Sequence, residues 1–358
     1  MKTQIYNLVV LDKSGSMSTI ARAAISGFNE TVGGIRSAQE QFKDTQEHFV
    51  SLMIFCNCEK RLVYDKVPVA EVKELTSKDY NPCCCTPLYD AMGISITQLF
   101  NDIKDKEDAT AMVTIITDGL ENASREYSGA AIKALVERMK NEEGWNFAYI
   151  GTNQDVEATS ASLSIDDHMS FRDDEAGMYE AWETERKSKM RMFGRMSMVS
   201  KFTESMTTEE RKKYRSKANS ENRNYRDMGE FKHRVTPDNI EKLGRNEVFV
   251  FGSNLQGAHL GGAARIARVK FGAVMGQGVG LQGQSYAIPT MQGGVNTIKP
   301  YVDDFIAFAA QHPELTFLVT RIGCGVAGFT PREITPLFAN AVDVENIHLP
   351  LDFWREII

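Results

Sequence analysis

An apolar run, Leu8-Val-Val-Leu11, stops at Asp12 and is followed at once by Ser14 and Ser16 on either side of Gly15. A short continuous apolar run that ends in a carboxylate and two hydroxyls reads as a buried parallel strand terminating at a cluster of hard oxygen donors. Such donors suit Mg²⁺ or Mn²⁺ better than zinc, because small hard cations take oxygen ligands in octahedral geometry and retain waters. The same residues also fit an ordinary strand-to-helix turn in which Ser14 or Ser16 caps the following helix.

Two later stretches bear on that choice. Thr86 stands just before a helical pattern (Leu88, Met92, Ile96, Leu99, Ile103) whose first turn carries Pro87, and Thr114-Ile-Ile-Thr117 is a second apolar strand that ends at Asp118. With these in place, the N-terminal half resembles the von Willebrand factor A domain. The metal-ion-dependent adhesion site of that family is an Asp-x-Ser-x-Ser loop joined by a distant Thr and a distant Asp, matched here by Asp12, Ser14, Ser16, Thr86 and Asp118. The resemblance implies a doubly wound, mostly parallel sheet, a bound Mg (or Mn) ion, and a protein partner that supplies an acidic residue to the metal. One departure is local: Cys83-Cys84-Cys85 occupies the usually glycine-rich lead into the threonine.

The remaining periodicities agree with an α/β fold. Ile25, Phe28, Val32 and Ile35 mark a first amphipathic helix, and residues 49–55 and 147–151 read as further strands, with a helix at Ile132, Leu135, Val136 and Met139 between. Ligands of such sheets lie beyond the carboxyl ends of the strands, where Asp12 and Asp118 fall. Met190, Met192, Met196, Met198 and Met206 sit in a charged stretch after residue 170 and read as adaptable packing in one or two closing helices.

At 358 residues the chain has room for two domains. No apolar run approaches the roughly 20 residues of a membrane helix, and the first strand begins almost at Met1, so a cytoplasmic protein without membrane contact is expected. The six cysteines (56, 58, 83, 84, 85, 324) are clustered rather than framework-like, which favours reduced thiols; their irregular spacing argues against a shared zinc. The net charge of −7 hides a basic segment. Residues 185–235 hold fifteen Lys and Arg against seven Asp and Glu, with Tyr214 and Tyr225 interleaved, the pattern of a solvated helical connector or of a nucleic-acid contact. The expected organisation is a metal-dependent binding domain over residues 1–206, a basic polar linker over 207–234 and a smaller α/β domain over 235–358.

In that last domain a strand runs into Gly252-Ser253-Asn254, and a glycine loop with His259, Gly261 and Gly262 opens a helix. A second strand, residues 316–320, meets the loop Gly323-Cys324-Gly325-Val326-Ala327-Gly328-Phe329. Backbone amides without a Cβ in the way make phosphate cradles, so two such loops fit a diphosphate or are merely tight turns. Gly278-Val-Gly280-Leu-Gln-Gly283 matches the dinucleotide fingerprint by letter but precedes a strand, which argues against a Rossmann site. Residues 235–358 resemble a macrodomain, nearest to the terminal ADP-ribose protein glycohydrolase branch. The resemblance implies ADP-ribose or a related nucleotide as ligand, with Gly261, Gly262 and the 323–328 loop on the diphosphate and distal ribose, Asn254 on ribose hydroxyls and Phe329 on a sugar or base. The glycohydrolase's nucleophilic lysine and its loop aspartate are replaced here by Met291 and Ala327, neither of which can attack or move a proton. Recognition is therefore the first expectation. The alternative, an ADP-ribosyl hydrolase or nucleotide-derivative-processing enzyme delivered by the first domain, would have to use His259.

Overall fold

The computed structural model describes residues 2–152, 156–203, 206–221 and 228–358, and of 198–203, 221 and 228–230 the backbone alone. Tyr225 and the side chain of Met198 lie outside what is described. The chain divides into two compact units, Met1–Tyr225 and Arg226–Ile358.

The first unit carries strands β1 (Thr3–Asp12), β2 (Gln46–Cys56), β3 (Glu59–Pro68), β4 (Ala109–Thr117), β5 (Asn146–Thr152) and β6 (Asp167–Phe171) in one sheet of order β3-β2-β1-β4-β5-β6. All neighbours are parallel except the β2–β3 hairpin. Its helices are α1 (Ala21–Gln41), α2 (Leu88–Ile103), α3 (Gly129–Glu143), α4 (Val156–Ser162), α5 (Glu175–Thr203) and α6 (Thr208–Glu221). Alternation along β1 feeds two cores. Ile5, Val9 and Leu11 pack with α1 and α5 on one face, while Tyr6, Leu8 and Val10 pack with α2 and α3 on the other. The sheet is thus covered on both faces, as the apolar runs predict. Met178 and Met192 are buried in the α1–α5 core and Met190 and Met196 pack against it, so the methionines do fill space.

Strands β3 and β6 are absent from the sequence-based reading because both are edges with few apolar positions; β3 is nowhere fully buried. The expected linker also differs. Residues 208–221 form α6, whose Lys212 pairs with Glu143 at 2.7 Å and whose Arg215 pairs with Asp108 and donates to the Ala109 carbonyl at 3.0 Å. These cations are engaged with the first unit's own carboxylates, which removes them from a nucleic-acid surface.

The second unit holds β7 (Glu247–Ser253), β8 (Gly280–Gln282), β9 (Ser285–Pro289), β10 (Thr316–Val319) and β11 (Ile347–His348), in the order β11-β10-β7-β9-β8, with only the β8–β9 hairpin antiparallel. Helices α7 (Gly262–Lys270), α8 (Lys299–Gln311), α9 (Pro331–Ile334) and α10 (Leu351–Ile357) complete it. Arg234 is buried against Phe231 and Trp354 and donates to the carbonyls of Ala341, Val342, Val344 and Ile347, so this unit begins before residue 235. Gly280 opens β8 and Gly283 stands in the turn of the β8–β9 hairpin, whereas Gly278 packs on the backbone of Asn254 and Leu255. Lys299 and Asp303 form an i,i+4 pair on α8. Among the described residues no helix is long and apolar enough to cross a membrane.

Candidate metal centre

The sheet of the first unit reverses direction at β1: the chain passes from β1 to β2 on one side and returns with β4 on the other. The carboxyl ends of β1 and β4 therefore border the crevice in which open α/β sheets bind ligands. Asp12 is the last residue of β1, and Asp118 follows the last residue of β4.

Hydrogen bonds tie the predicted residues together. Ser14 Oγ and Ser16 Oγ lie 3.2 Å apart, and Ser16 Oγ donates to Asp118 Oδ1 at 2.7 Å. Asp12 Oδ1 accepts the Ser14 amide at 2.6 Å, and Asp12 Oδ2 accepts the Thr117 hydroxyl at 2.6 Å. Ser14 stands at the start of a short 3₁₀ turn, Gly15–Ile20, but makes no side-chain capping bond, so its hydroxyl is not spent as a helix cap. Thr86 is held by a reciprocal backbone clamp: its amide donates to Asn122 Oδ1 and its carbonyl accepts the Asn122 amide.

Gly119 shows where these oxygens converge. A Cβ added there would lie 3.2 Å from Thr86 Oγ1 and 3.9 Å from both Asp12 Oδ2 and Ser16 Oγ. One small volume, open because residue 119 has no side chain, is thus ringed by three of the five donors, and Ser14 and Asp118 adjoin it through Ser16. The donors are two carboxylates and three hydroxyls, a hard oxygen set that fits Mg²⁺ or Mn²⁺ and lacks the thiolates or imidazoles zinc prefers.

The electrostatics agree with that fit. Burial pushes the Asp12 carboxyl up to about 6, opposed by hydrogen bonds from Thr117 and Ser14, with the charge of Asp118 adding a smaller rise. Burial also raises Asp118, and the carboxylate of Asp173 adds to it, against the Ser16 hydrogen bond. Two carboxylates held out of water repel and are poorly solvated, a cost that a divalent cation offsets.

Sequence reasoning missed Thr117, Asn122 and Gly119. Thr117 is legible only as a strand residue; its role depends on the β1–β4 pairing. Tyr80, from the loop before α2, donates its hydroxyl to the Asp12 carbonyl and fixes the end of β1.

The cysteine loop departs from expectation. Cys58 and Cys84 are joined as a disulfide, where reduced thiols are expected, and Cys56 Sγ lies 3.2 Å from Cys83 Sγ.

In the second unit the two glycine loops follow β7 and β10, adjacent parallel strands. A Cβ on Gly252 would meet Thr290 Oγ1 at 3.3 Å and the Gly323 amide nitrogen at 3.7 Å, so the ends of β7, β9 and β10 converge. Gly262, Gly323 and Gly328 have φ of 52°, 76° and 79°, the left-handed region that favours glycine. Asn254 Oδ1 accepts the Ala258 amide within its own turn, and Phe329 is half-buried. His259 is 1% exposed: its Nε2 lies 3.0 Å from Ser253 Oγ, its ring packs edge-on to Phe251, and burial lowers its pKa, with the charge of Arg268 adding to the effect. The ring is thus enclosed, held by the Ser253 hydroxyl and the Phe251 face.

The fold and first site together define a doubly wound α/β domain with an oxygen-lined cradle at its switch point. No family model and no curated protein matches the chain. Among solved structures it is similar to proximal thread matrix protein 1 from the mussel byssus, at 12% identity and TM-score 0.35 over 51% of this chain and 44% of that one; one form of that protein is described with a zinc-occupied MIDAS motif. The pilus adhesin SpaC from Lactobacillus rhamnosus GG matches at 15% identity and TM-score 0.40, over 54% of this chain and 30% of that one. Manganese-loaded TRAP protein of Plasmodium vivax matches at 15% identity and TM-score 0.32, over 51% and 73%. The chain spans less than half the length of the mussel protein and of the adhesin.

Proposed function

We propose that the first unit is a metal-dependent binding module of the von Willebrand factor A type, in which Asp12, Ser14, Ser16, Thr86 and Asp118 hold Mg²⁺ or Mn²⁺ and a protein partner adds a carboxylate to the ion. The observation that carries this reading is the convergence of Thr86, Asp12 and Ser16 oxygens on the open volume at Gly119. When bound, the ion supplies a Lewis-acidic position for an acidic oxygen. The chain's own residues orient the donors and bury Asp12, Ser14, Thr86 and Asp118, leaving Ser16 exposed on the open side. The test is calorimetric titration of Mg²⁺, then Mn²⁺, into the metal-free full chain and into Asp12→Ala and Asp118→Ala. Each variant is expected to lose about tenfold or more in affinity, because each removes a charged ligand. Unchanged binding in both would remove the assignment.

A second reading concerns the other unit. Its sheet also has a switch point: from β7 the chain goes to β9 on one side and β10 on the other, and both glycine loops leave strands that border that crevice. This favours recognition of ADP-ribose or a related nucleotide by the 252–262 and 323–329 loops. Met291, Ala327 and the enclosed His259 favour binding over hydrolysis. Titration of ADP-ribose into the full chain, with AMP and ribose 5-phosphate as controls, is expected to give affinity on the order of micromolar for ADP-ribose alone. Absence of heat with all three would overturn the reading.

A further inference from the structure

The sulfurs brought together beside the oxygen cradle form a cluster that their spacing in the sequence does not reveal. Cys56 ends β2, and Cys58 lies in the two-residue turn before β3. Cys83 and Cys84 arrive on the loop that precedes Thr86. That loop is clamped by three backbone bonds: the Cys83 amide donates to the Lys13 carbonyl at 2.8 Å, the Gly15 amide to the Cys84 carbonyl at 3.0 Å, and the Asn57 amide to the Cys85 carbonyl at 2.9 Å. The hairpin turn and the metal loop therefore hold the cysteine loop from two sides.

The result is a compact group of sulfurs. Those of Cys56, Cys58 and Cys83 lie within 4.8 Å of one another, those of Cys56 and Cys83 at 3.2 Å, and the sulfur of Cys84 is bonded to that of Cys58. Zinc–thiolate bonds of about 2.3 Å in a tetrahedron place ligand sulfurs about 3.8 Å apart. The spacings among Cys56, Cys58 and Cys83 bracket that value, so these three thiolates can reach one ion by side-chain rotation about a backbone already in place, and Cys84, bonded to Cys58, is the adjacent fourth thiolate that opening of the disulfide frees to turn toward it. Cys84 sits at φ 63°, an uncommon conformation for a residue with a Cβ, which the clamp imposes. Cys58 and Cys84 are exposed and Cys56 is buried, giving one closed side and one side open to solvent.

We propose that Cys56, Cys58, Cys83 and Cys84 form a redox-gated site for a soft divalent cation of the zinc class, open when the Cys58–Cys84 disulfide is reduced and closed when it forms. Thiolates select zinc over Mg²⁺, so this site is chemically distinct from the oxygen cradle that shares its loop. Opening is a two-electron step: a dithiol reduces the Cys58–Cys84 bond, becomes a cyclic disulfide itself, and leaves two cysteine thiols. Binding then forms four metal–sulfur bonds and releases the four thiol protons. The disulfide and the metal are mutually exclusive occupants of the same sulfurs.

The test uses Co²⁺ as a spectroscopic stand-in for zinc on the full chain. After reduction by a dithiol and anaerobic removal of the reductant, one equivalent of Co²⁺ is expected to produce thiolate-to-cobalt charge-transfer absorption and tetrahedral d–d bands, which one equivalent of Zn²⁺ abolishes. The oxidised protein is expected to give neither. Cys83→Ser should weaken Co²⁺ binding about tenfold or more, whereas Cys85→Ser, outside the cluster, and Asp12→Ala, in the oxygen cradle, should leave the bands intact. Far-UV circular dichroism accompanies each variant. If Cys83→Ser fails to fold, the comparison of reduced with oxidised wild type still decides. No charge-transfer band in the reduced protein, the same band in the oxidised protein, or an unaltered band in folded Cys83→Ser would each overturn the proposal.

Discussion

The hydroxyl of Thr117 donates to Oδ2 of Asp12 across 2.6 Å, bridging the carboxyl ends of two adjacent parallel strands. Its oxygen also accepts the Gly119 amide at 3.1 Å, so one side chain sets both the Asp12 rotamer and the start of the turn that carries Asp118 away from the sheet.

Under the proposed metal-binding reading, Thr117 is a positioning residue for the ion. Outer-shell partners of metal ligands typically contribute about 10–100-fold in affinity. Thr117→Val keeps the β-branched shape and removes the donor. Calorimetry is expected to show Mg²⁺ affinity lowered about tenfold or more with the thermal midpoint nearly unchanged, and an unchanged affinity would deny Thr117 that role.

Gly119→Ala tests the cradle without touching a ligand. Gly119 is not among the positive-φ residues, so alanine is compatible with its backbone, but the new methyl would sit 3.2 Å from Thr86 Oγ1 and between the other donors. Mg²⁺ affinity should fall about tenfold or more while unfolding in urea moves by less than about 1 kcal/mol. Equal affinity in the variant would place the ion elsewhere.

Behind the sheet, Lys189 and Glu185 of α5 form a buried pair, and both reach Thr114 Oγ1 of β4 at 2.6 Å. Removing one partner leaves a buried charge, so Lys189→Met should cost about 3–5 kcal/mol, whereas Glu185→Leu with Lys189→Met should recover much of that loss. Denaturant unfolding of the three proteins reads this directly; a double variant no more stable than the single would show that the pair has no such coupling.

Acid should weaken the first unit through His48. Burial between Phe193 and Gln46 lowers its pKa from 6.5 to about 4. In that window the unfolded chain binds a proton that the folded chain refuses, so stability is lost as pH falls from about 6.5 through about 4, by about 3 kcal/mol in full. Urea midpoints of wild type and His48→Leu across this range should converge on acidification. Parallel profiles would mean that His48 titrates normally.

How much of this was legible depends on range. The positions of the proposed oxygen donors at strand and helix ends were readable, because strand-end residues announce themselves by the apolar run before them. The Met-rich helix was readable as packing for the same reason. Edge strands β3 and β6 were not, because a strand paired on one side needs little apolar patterning. The engagement of α6 was hidden too: a basic helix looks alike whether its cations meet water or, as with Lys212 and Arg215, carboxylates of Glu143 and Asp108.

The sequence by itself determined that a buried strand must end at Asp12 among hydroxyls, that strands and helices alternate into a sheet covered on both faces, and that glycine loops follow strands in the second unit. Only the tertiary structure decided that Thr117 braces Asp12, that Gly119 opens the cradle, that His259 is enclosed, and that Cys56, Cys58, Cys83 and Cys84 meet. The division has one cause: patterning of nearest neighbours is a local property written in residue order, whereas which side chains converge depends on strand pairing and loop closure between residues tens of positions apart.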